Sequence, residues 1–536
     1  MSEAVRSYRA VGATQQAGSS FVFRGGIRLT RYLLIVLLFW GVYFFWISRD
    51  TRRVEEFVQG DTTFRMVAQN LVENRSRLQQ STVWDALPQQ WRSHPLPQLL
   101  QVPVGFPEWV QRNLVGQYVF ISGRDAGEFT DAVYITKLSR VGSVLERMLR
   151  FSSGNEGDDA GGLKIRQLKE YDLYYAIRGR IALASPSRRA LIHSLTLTDS
   201  ELAAAEDWDE SIWQLGDEDL RGTLLLGDDS GWGGYFSGMG FALRLEPDRG
   251  FVKLSLPCTE SFYDAFGNGV RNTSARDLLA PMDGPIQLSA NLNGTAARLW
   301  DTLGTLTGAD ENFSTLWEGR TPESKPESLE SYLAQSLGDA GPGISITWHG
   351  FEINTIVPST LFSMSAEVRN DSIAEEIERL SGSDTDRGLD AVSARFDDEQ
   401  EWIEAVGIGG PARTAVLMPS DDRRHVFVSS SKVLAESLWA GEARVNYMTE
   451  KANVYLRVSP GEVVEWYVEY GTVLAADGLL EGYRVEEFGA YAEDLRAKTA
   501  GIKLVEMTAR YDNGVVEADI VLESKALEID HVEAGN

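Results

Sequence analysis

The chain holds one cysteine in 536 residues, Cys258. A single thiol excludes an intrachain disulfide and any cysteine-rich zinc or iron–sulfur site. It leaves the redox compartment open. Cys258 follows Pro257 and has no histidine near it in sequence, so it reads as a small passive residue rather than a nucleophile. Histidine is scarce too: His94, His193, His349, His425 and His531 lie far apart and form no H-x-x-x-H pair, so no zinc motif is present. Basic charge is in deficit, with 51 Lys+Arg against 78 Asp+Glu and a net charge of −27. Residues 1–53 carry arginines opposed only by Glu3 and Asp50, so the body that follows is more acidic than the whole. Such a body is repelled by phosphate backbones, which argues against a nucleic-acid partner.

Long apolar runs are also scarce, and one stands alone. Residues 32–47 read YLLIVLLFWGVYFFWI without interruption. At helical rise they cover about 24 Å, and Leu29, Thr30 and Ser48 extend them toward the ~30 Å of a hydrocarbon core. Arg28, Arg31 and Arg49 can snorkel to the interfaces, and Trp46 suits an interfacial belt. The sequence after the run, SRDTRRVEE, lacks the small residues of a cleavage site, so an uncleaved signal-anchor over 28–49 is expected. Arg6, Arg9, Arg24, Arg28 and Arg31 precede it, and Arg49, Arg52 and Arg53 follow. This balance favours a cytoplasmic tail (1–27), a single pass through the inner membrane and a periplasmic or otherwise extracytoplasmic body.

What the body does contain is a repeat. GRIALASPSRRALIHSL (179–195) returns as RHVFVSSSKVLAESL (424–438), and LRLEPDRGFVKLSL (243–256) as TARYDNGVVEADIVL (508–522). AVYITKLSRVGSVLERML (132–149) has a weaker counterpart in FSMSAEVRNDSIAEEIERL (362–380), each a strand, a turn and an amphipathic helix. The openings match as well: Ala68-Gln69-Asn70-Leu71 precedes Trp84-Asp85, and Ala290-Asn291-Leu292 precedes Trp300-Asp301. Asn70 and Asn291 are read as caps or turn residues. Asp512-Asn513-Gly514 suits a tight hairpin turn, with Pro247-Asp248-Arg249-Gly250 in its place earlier. Val252, Leu254 and Leu256 alternate with Lys253 and Ser255, as in a strand with one buried and one wet face.

The expected fold is therefore α+β: two tandem duplicated modules of antiparallel sheet with packed helices, 54–260 and 281–530, behind one N-terminal transmembrane helix. Residues 152–162, 319–331 and 381–390 read as loops, and the second module carries a flexible insertion over about 305–342.

No motif carries chemistry. Ser429-Ser430-Ser431-Lys432 fits S-x-x-K, but its companion elements are missing and the earlier copy has Arg188, which cannot act as a base. A serine between strand and helix is an N-cap in both copies. GDDSGWGG (227–234) is similar to a trypsin-like nucleophile loop, broken by the extra aspartate. Gly231, Gly233, Gly234, Gly238 and Gly240, interleaved with Trp232, Tyr235 and Phe236, read instead as a mobile loop. Asp384, Asp386, Gly388 and Asp390 are spaced loosely like a calcium loop, but a glycine and Arg395 stand where ligands belong. No catalytic, cofactor-binding or metal-binding residue is assigned.

The run G-R-I-A-L-A-S-P-S-R-R-A-L after Tyr174-Tyr175-Ala176, with its upstream strand and helix ending in Glu-Arg, resembles a bacterial family of membrane-anchored, repeated-module envelope proteins known only as a domain of unknown function. The resemblance spans most of 54–530, and residues 424–438 depart from it by lacking the proline and second basic residue. It implies an anchor and an exported α+β body, and no catalytic residues. The expected role is non-enzymatic binding or scaffolding of envelope components, whether protein or lipid. An anchored carrier of lipid or another hydrophobic ligand is the alternative, and an envelope glycan or peptide hydrolase the second.

Overall fold

The structure is a computed structural model. It describes residues 31–42, 52–83, 107–153, 158–160, 163–168, 172–197, 217–226, 232–266, 274–291, 340–352, 359–368, 392–397, 400–406, 414–420, 424–439, 446–478 and 484–525. The chain divides into two compact units. Unit 1 comprises Met1–Gly60, Val104–Phe120 and Asp131–Glu206; unit 2 comprises Asp61–Pro103, Ile121–Thr130 and Asp207–Asn536. The fold is α+β, with antiparallel strand pairing and packed helices.

Residues 31–42 are helical, and the apolar side chains from Tyr32 to Trp40 are exposed. The remainder of the expected 28–49 span lies outside the described residues. Among the described residues no helix is long and apolar enough to cross a membrane.

Unit 1 pairs Leu163–Leu168, Leu173–Arg178, Ile181–Ser185 and Val133–Lys137 in that order. One sheet face puts Val133, Ile135, Ile165, Ala176, Ile181 and Leu183 under helix Arg188–Leu195, whose Leu191 and Leu195 complete the core with Phe57 and Val58. Ser187 caps this helix, its Oγ accepting from the Ala190 amide at 3.3 Å, while Ser185 Oγ accepts from the Ser187 amide at 3.0 Å. Helix Arg140–Ser153 follows Val133–Lys137, as the sequence predicts.

Unit 2 carries one uninterrupted antiparallel order. It starts Phe64–Gln69, Leu220–Leu225, Gly238–Leu245, Arg249–Pro257. It continues Val515–Ser524, Ile502–Asp512, Val454–Val458, Ile286–Asn291. It ends Ala340–Glu352, Ser359–Val368, His425–Ser429, Thr414–Pro419, Gln400–Val406, Val392–Asp397. Pairings recur between matching sequence segments. Ser359–Val368 pairs with His425–Ser429 as Val133–Lys137 pairs with Ile181–Ser185, and Ile286–Asn291 pairs with Val454–Val458 as Phe64–Gln69 pairs with Leu220–Leu225.

The later hairpin turns at Asn513-Gly514, both at positive φ (48° and 89°), as two-residue turns demand. The earlier one differs from expectation: it turns at Pro247-Asp248, with the Glu246 amide donating to Arg249 O, and Gly250 already lies inside the strand. Asn70 adopts positive φ (50°), as a turn residue should; Asn291 ends a strand and its backbone N–H donates to Asn453 O, while the residues it would cap lie outside the described residues. The helix expected at 371–380, Trp84, Trp300 and the calcium-like loop fall outside the described residues. The insertion expected over 305–342 is described only from Ala340, where it is strand.

Between Val454–Val458 and Ile502–Asp512 unit 2 inserts a helical hairpin, Pro460–Ala476 and Val485–Thr499. Val468, Ala475, Phe488 and Ala492 form its core, and Gly471 lets the Phe488 ring approach to where a Cβ would sit 2.1 Å away.

Candidate functional site

Register, not a motif, builds the most unusual surface of unit 2. Because side chains of paired residues share a face, cross-strand partners can be followed from strand to strand. One row passes through Ala68, Leu220, Leu243 and Val252. It continues through Ile520, Met507, Leu456 and Leu288. It then reaches Ile346, Met364 and Val428. Leu417 and Ile403 hold the next positions. Every position is apolar.

The neighbouring row, on the opposite face, runs Arg221, Ala242, Lys253, Asp519, Thr508, Tyr455, Ser289, Ser345, Ser365, Phe427. Burial is the reverse of what such rows ordinarily show. Ser289 is 0% exposed and Ser345 3%, while Leu288, Ile346, Met364, Val428, Leu456, Met507, Ile520 and Val252 are only half-buried.

The reversal has a local cause. Over the serine face lie the two-stranded sheet of Arg276–Leu279 and Tyr447–Ala452, the segment around Met282, and helix Lys432–Trp439. This layer presents backbone carbonyls, and the small hydroxyls satisfy them. Ser289 donates to Leu279 O at 2.6 Å and Thr347 to Met282 O at 2.9 Å, while His349 Nε2 meets Ser363 Oγ at 2.8 Å. Burial holds the His349 pKa below its ordinary value, so it sits there neutral. Ala435 of the helix packs on Val416, Met418 and Phe427, and Leu278 and Ala452 pack on Tyr455. The same side holds a polar cleft of about 510 Å³ lined by Glu450, Lys451, Glu506, Thr508, Arg510 and Asp519. Tyr455 donates to Glu506 at 2.9 Å, and burial with that carboxylate raises its phenol well above the usual range.

The motifs weighed in the sequence resolve into structure. Ser431 Oγ accepts from the Leu434 amide at 3.2 Å and Ser429 Oγ from the Ser431 amide at 3.2 Å, repeating the Ser187 and Ser185 geometry. The serines of S-x-x-K are thus a helix cap. The glycine-rich stretch is not simply a loop: Phe236 is buried against Phe262, Tyr263 and Tyr511, and Trp232 alone of its aromatics is largely exposed. Burial pushes the Cys258 thiol up to about 11. His193, His349 and His425 are apart in use; His425 bonds Tyr447 Oη at 3.2 Å. Among the described residues no group of three or more His, Cys, Asp or Glu could hold a metal. Sequence reading missed the apolar face because it exists only after register is known.

No family model matches the chain, and no curated protein matches it. A solved structure titled "Structure of crystal form III of TP0453" matches 43% of this chain and 91% of that one, at 7% identity and a TM-score of 0.24. At that TM-score the likeness bears on neither fold nor function.

Proposed function

We propose that this chain is a single-pass, non-enzymatic envelope protein of two duplicated modules, 54–260 and 281–530, that binds lipid acyl chains or comparable apolar ligands outside the cytoplasm. The observation that carries this reading is the continuous row from Leu243 to Val428, apolar at each position yet only half-buried. Apolar area left near water is stabilised by anything that covers it, at about 25 cal/mol per Å², and contiguous exposed patches mark interaction sites. Neighbouring strands are about 4.8 Å apart, so the row offers a track several tens of ångströms long. An acyl chain is a fitting occupant because the row is apolar without interruption, and an anchor at 28–49 would hold the body beside a bilayer. A protein partner would ordinarily meet a polar rim and an aromatic or arginine anchor within such a patch. The row supplies neither.

The test is lipid analysis of the full-length chain extracted from its own membranes and washed in detergent. Retained lipid at one or more molecules per chain supports the reading. A lipid-free chain that carries stoichiometric protein instead would overturn it in favour of a scaffold.

A further inference from the structure

Unit 1 contains the counterpart of the row just described, and it is chemically different. Tyr134 pairs with Ala184, Ala184 with Tyr175, and Tyr175 with Arg166. The matching strands of unit 2 place Met364, Val428, Leu417 and Ile403 at these four positions. The equivalence follows from the serine caps, because Ala184 and Val428 each precede the first capping serine, Ser185 and Ser429. Where one copy is wholly apolar, the other therefore carries a guanidinium and two phenols.

Arg166 is 6% exposed, and its Nε has no hydrogen-bond partner. Among the described residues no ion pair includes it. It lies on the face away from the core, since its neighbour Ile165 is the residue packed with Ala176 and Leu183. Arginine cannot shed its charge to escape burial, so a buried unpaired guanidinium is costly. Its planar fork suits the two oxygens of a carboxylate or phosphate. Lys164, two residues earlier on the same face, is exposed and stands directly opposite Asp159, so the positive charge of the site rests on Arg166.

We propose that Arg166 is the receptor for the anionic head group, carboxylate or phosphate, of an acyl amphiphile. This rests on the ligand class proposed above. Burial raises the Tyr134 phenol to about 12, so that position of the row stays uncharged. The acidic body does not oppose this. Surface charges are largely screened beyond about 8 Å at physiological salt, whereas a contact within a buried site is screened much less.

The test uses the full-length chain, delipidated in detergent and incubated with an equimolar mixture of oleate, phosphatidylglycerol and phosphatidylcholine, and reads retained species by native mass spectrometry. The wild-type chain is expected to favour one or both anionic lipids. Oleate alone would identify a carboxylate and phosphatidylglycerol a phosphate diester. R166Q should lose that preference about tenfold while holding phosphatidylcholine as before, R166K should keep it within about threefold, and the unliganded R166Q should melt no lower than wild type. An unchanged preference in R166Q overturns the proposal while leaving the apolar-ligand reading intact. Failure of the wild-type chain to retain any lipid overturns both. A melting temperature lowered in R166Q and R166K alike also overturns it, because it would mark Arg166 as paired within the protein.

Discussion

Lys253 lies directly opposite Asp519 where the Arg249–Pro257 and Val515–Ser524 strands meet, and each is the fifth residue after its own hairpin turn, counted from Asp248 and Gly514. On the duplication proposed above these two residues are equivalent, and equivalent residues that pair with each other are what a local twofold requires. The same count carries Ala68 onto Ala290 through the register, in agreement with the Ala-Asn-Leu openings of the sequence. Aligning the copies on Gly250 and Gly514 would place the axis one residue away. The turn geometry, not the glycine, sets the correspondence.

At this axis the two copies carry opposite charges. Directly opposed unlike charges stabilise a strand pair by about 0.2–1 kcal/mol, and like charges destabilise it. K253E is therefore expected to lower stability by up to about 1 kcal/mol, and K253D combined with D519K to restore most of the loss. Urea unfolding of the wild type, K253D, D519K and the K253D/D519K double variant gives the coupling directly. A coupling of zero would mean that the exposed Lys253 side chain stays in solvent.

The serine caps make a second prediction. S187A and S431A should each cost about 1 kcal/mol, the ordinary value of a lost N-cap. Neither the wild-type chain nor S431A should be labelled by an acylating β-lactam. Stoichiometric acylation of the wild type that S429A abolishes would restore the catalytic reading of Ser429 and Lys432.

These cases show what local chemistry makes legible. Caps, two-residue turns and strand alternation depend on neighbours in sequence, so Ser187, Ser431 and Asn513-Gly514 could be read from the chain. The backbone bond from Asn291 to Asn453 could not, because it joins residues far apart along the chain. The alternation of Ile286–Asn291 predicts two faces, yet which face is covered depends on Leu279 and Met282 folding back over Ser289 and Thr347. Arg166 was invisible for the same reason: only register places it in a row with Tyr175 and Tyr134.

The hairpin inserted before Ile502–Asp512 rests on a close approach. A Cβ at Gly471 would meet the Phe488 ring at 2.1 Å, and both residues are buried. G471A is expected to cost about 1–3 kcal/mol through overpacking. F488L in the same background should recover part of it by opening the space. Thermal melts of the single and double variants would show this as non-additivity.

Cys258 gives a pH prediction with a single reporter. Its thiol is raised from about 9 to about 11 by burial. A raised acid favours the folded state while protonated, so its contribution is fully present below pH 9 and is lost as pH rises through 11. Stability of the wild type should fall faster than that of C258A across that window. Alkylation by iodoacetamide should be slow in the native chain at pH 8 and fast in urea. Equal rates in both conditions would mean that the thiol is not desolvated.

The apolar row predicts a separation of stability from binding. Ile520 and Leu456 are half-buried, whereas Leu183 of the sheet and Leu191 of the helix that covers it are fully buried. Losing a buried large side chain leaves a cavity and costs about 2–5 kcal/mol, so L183A and L191A should destabilise the chain strongly. I520S and L456S remove side chains that water already reaches, and should cost under about 1.5 kcal/mol. If acyl chains lie along the row, those two mild variants should retain several-fold less lipid than wild type, whereas Lys253→Ser, one position along on the opposite face, should retain as much. Strong destabilisation by I520S with unchanged lipid content would reveal the row as ordinary core, and the binding surface would have to be sought elsewhere.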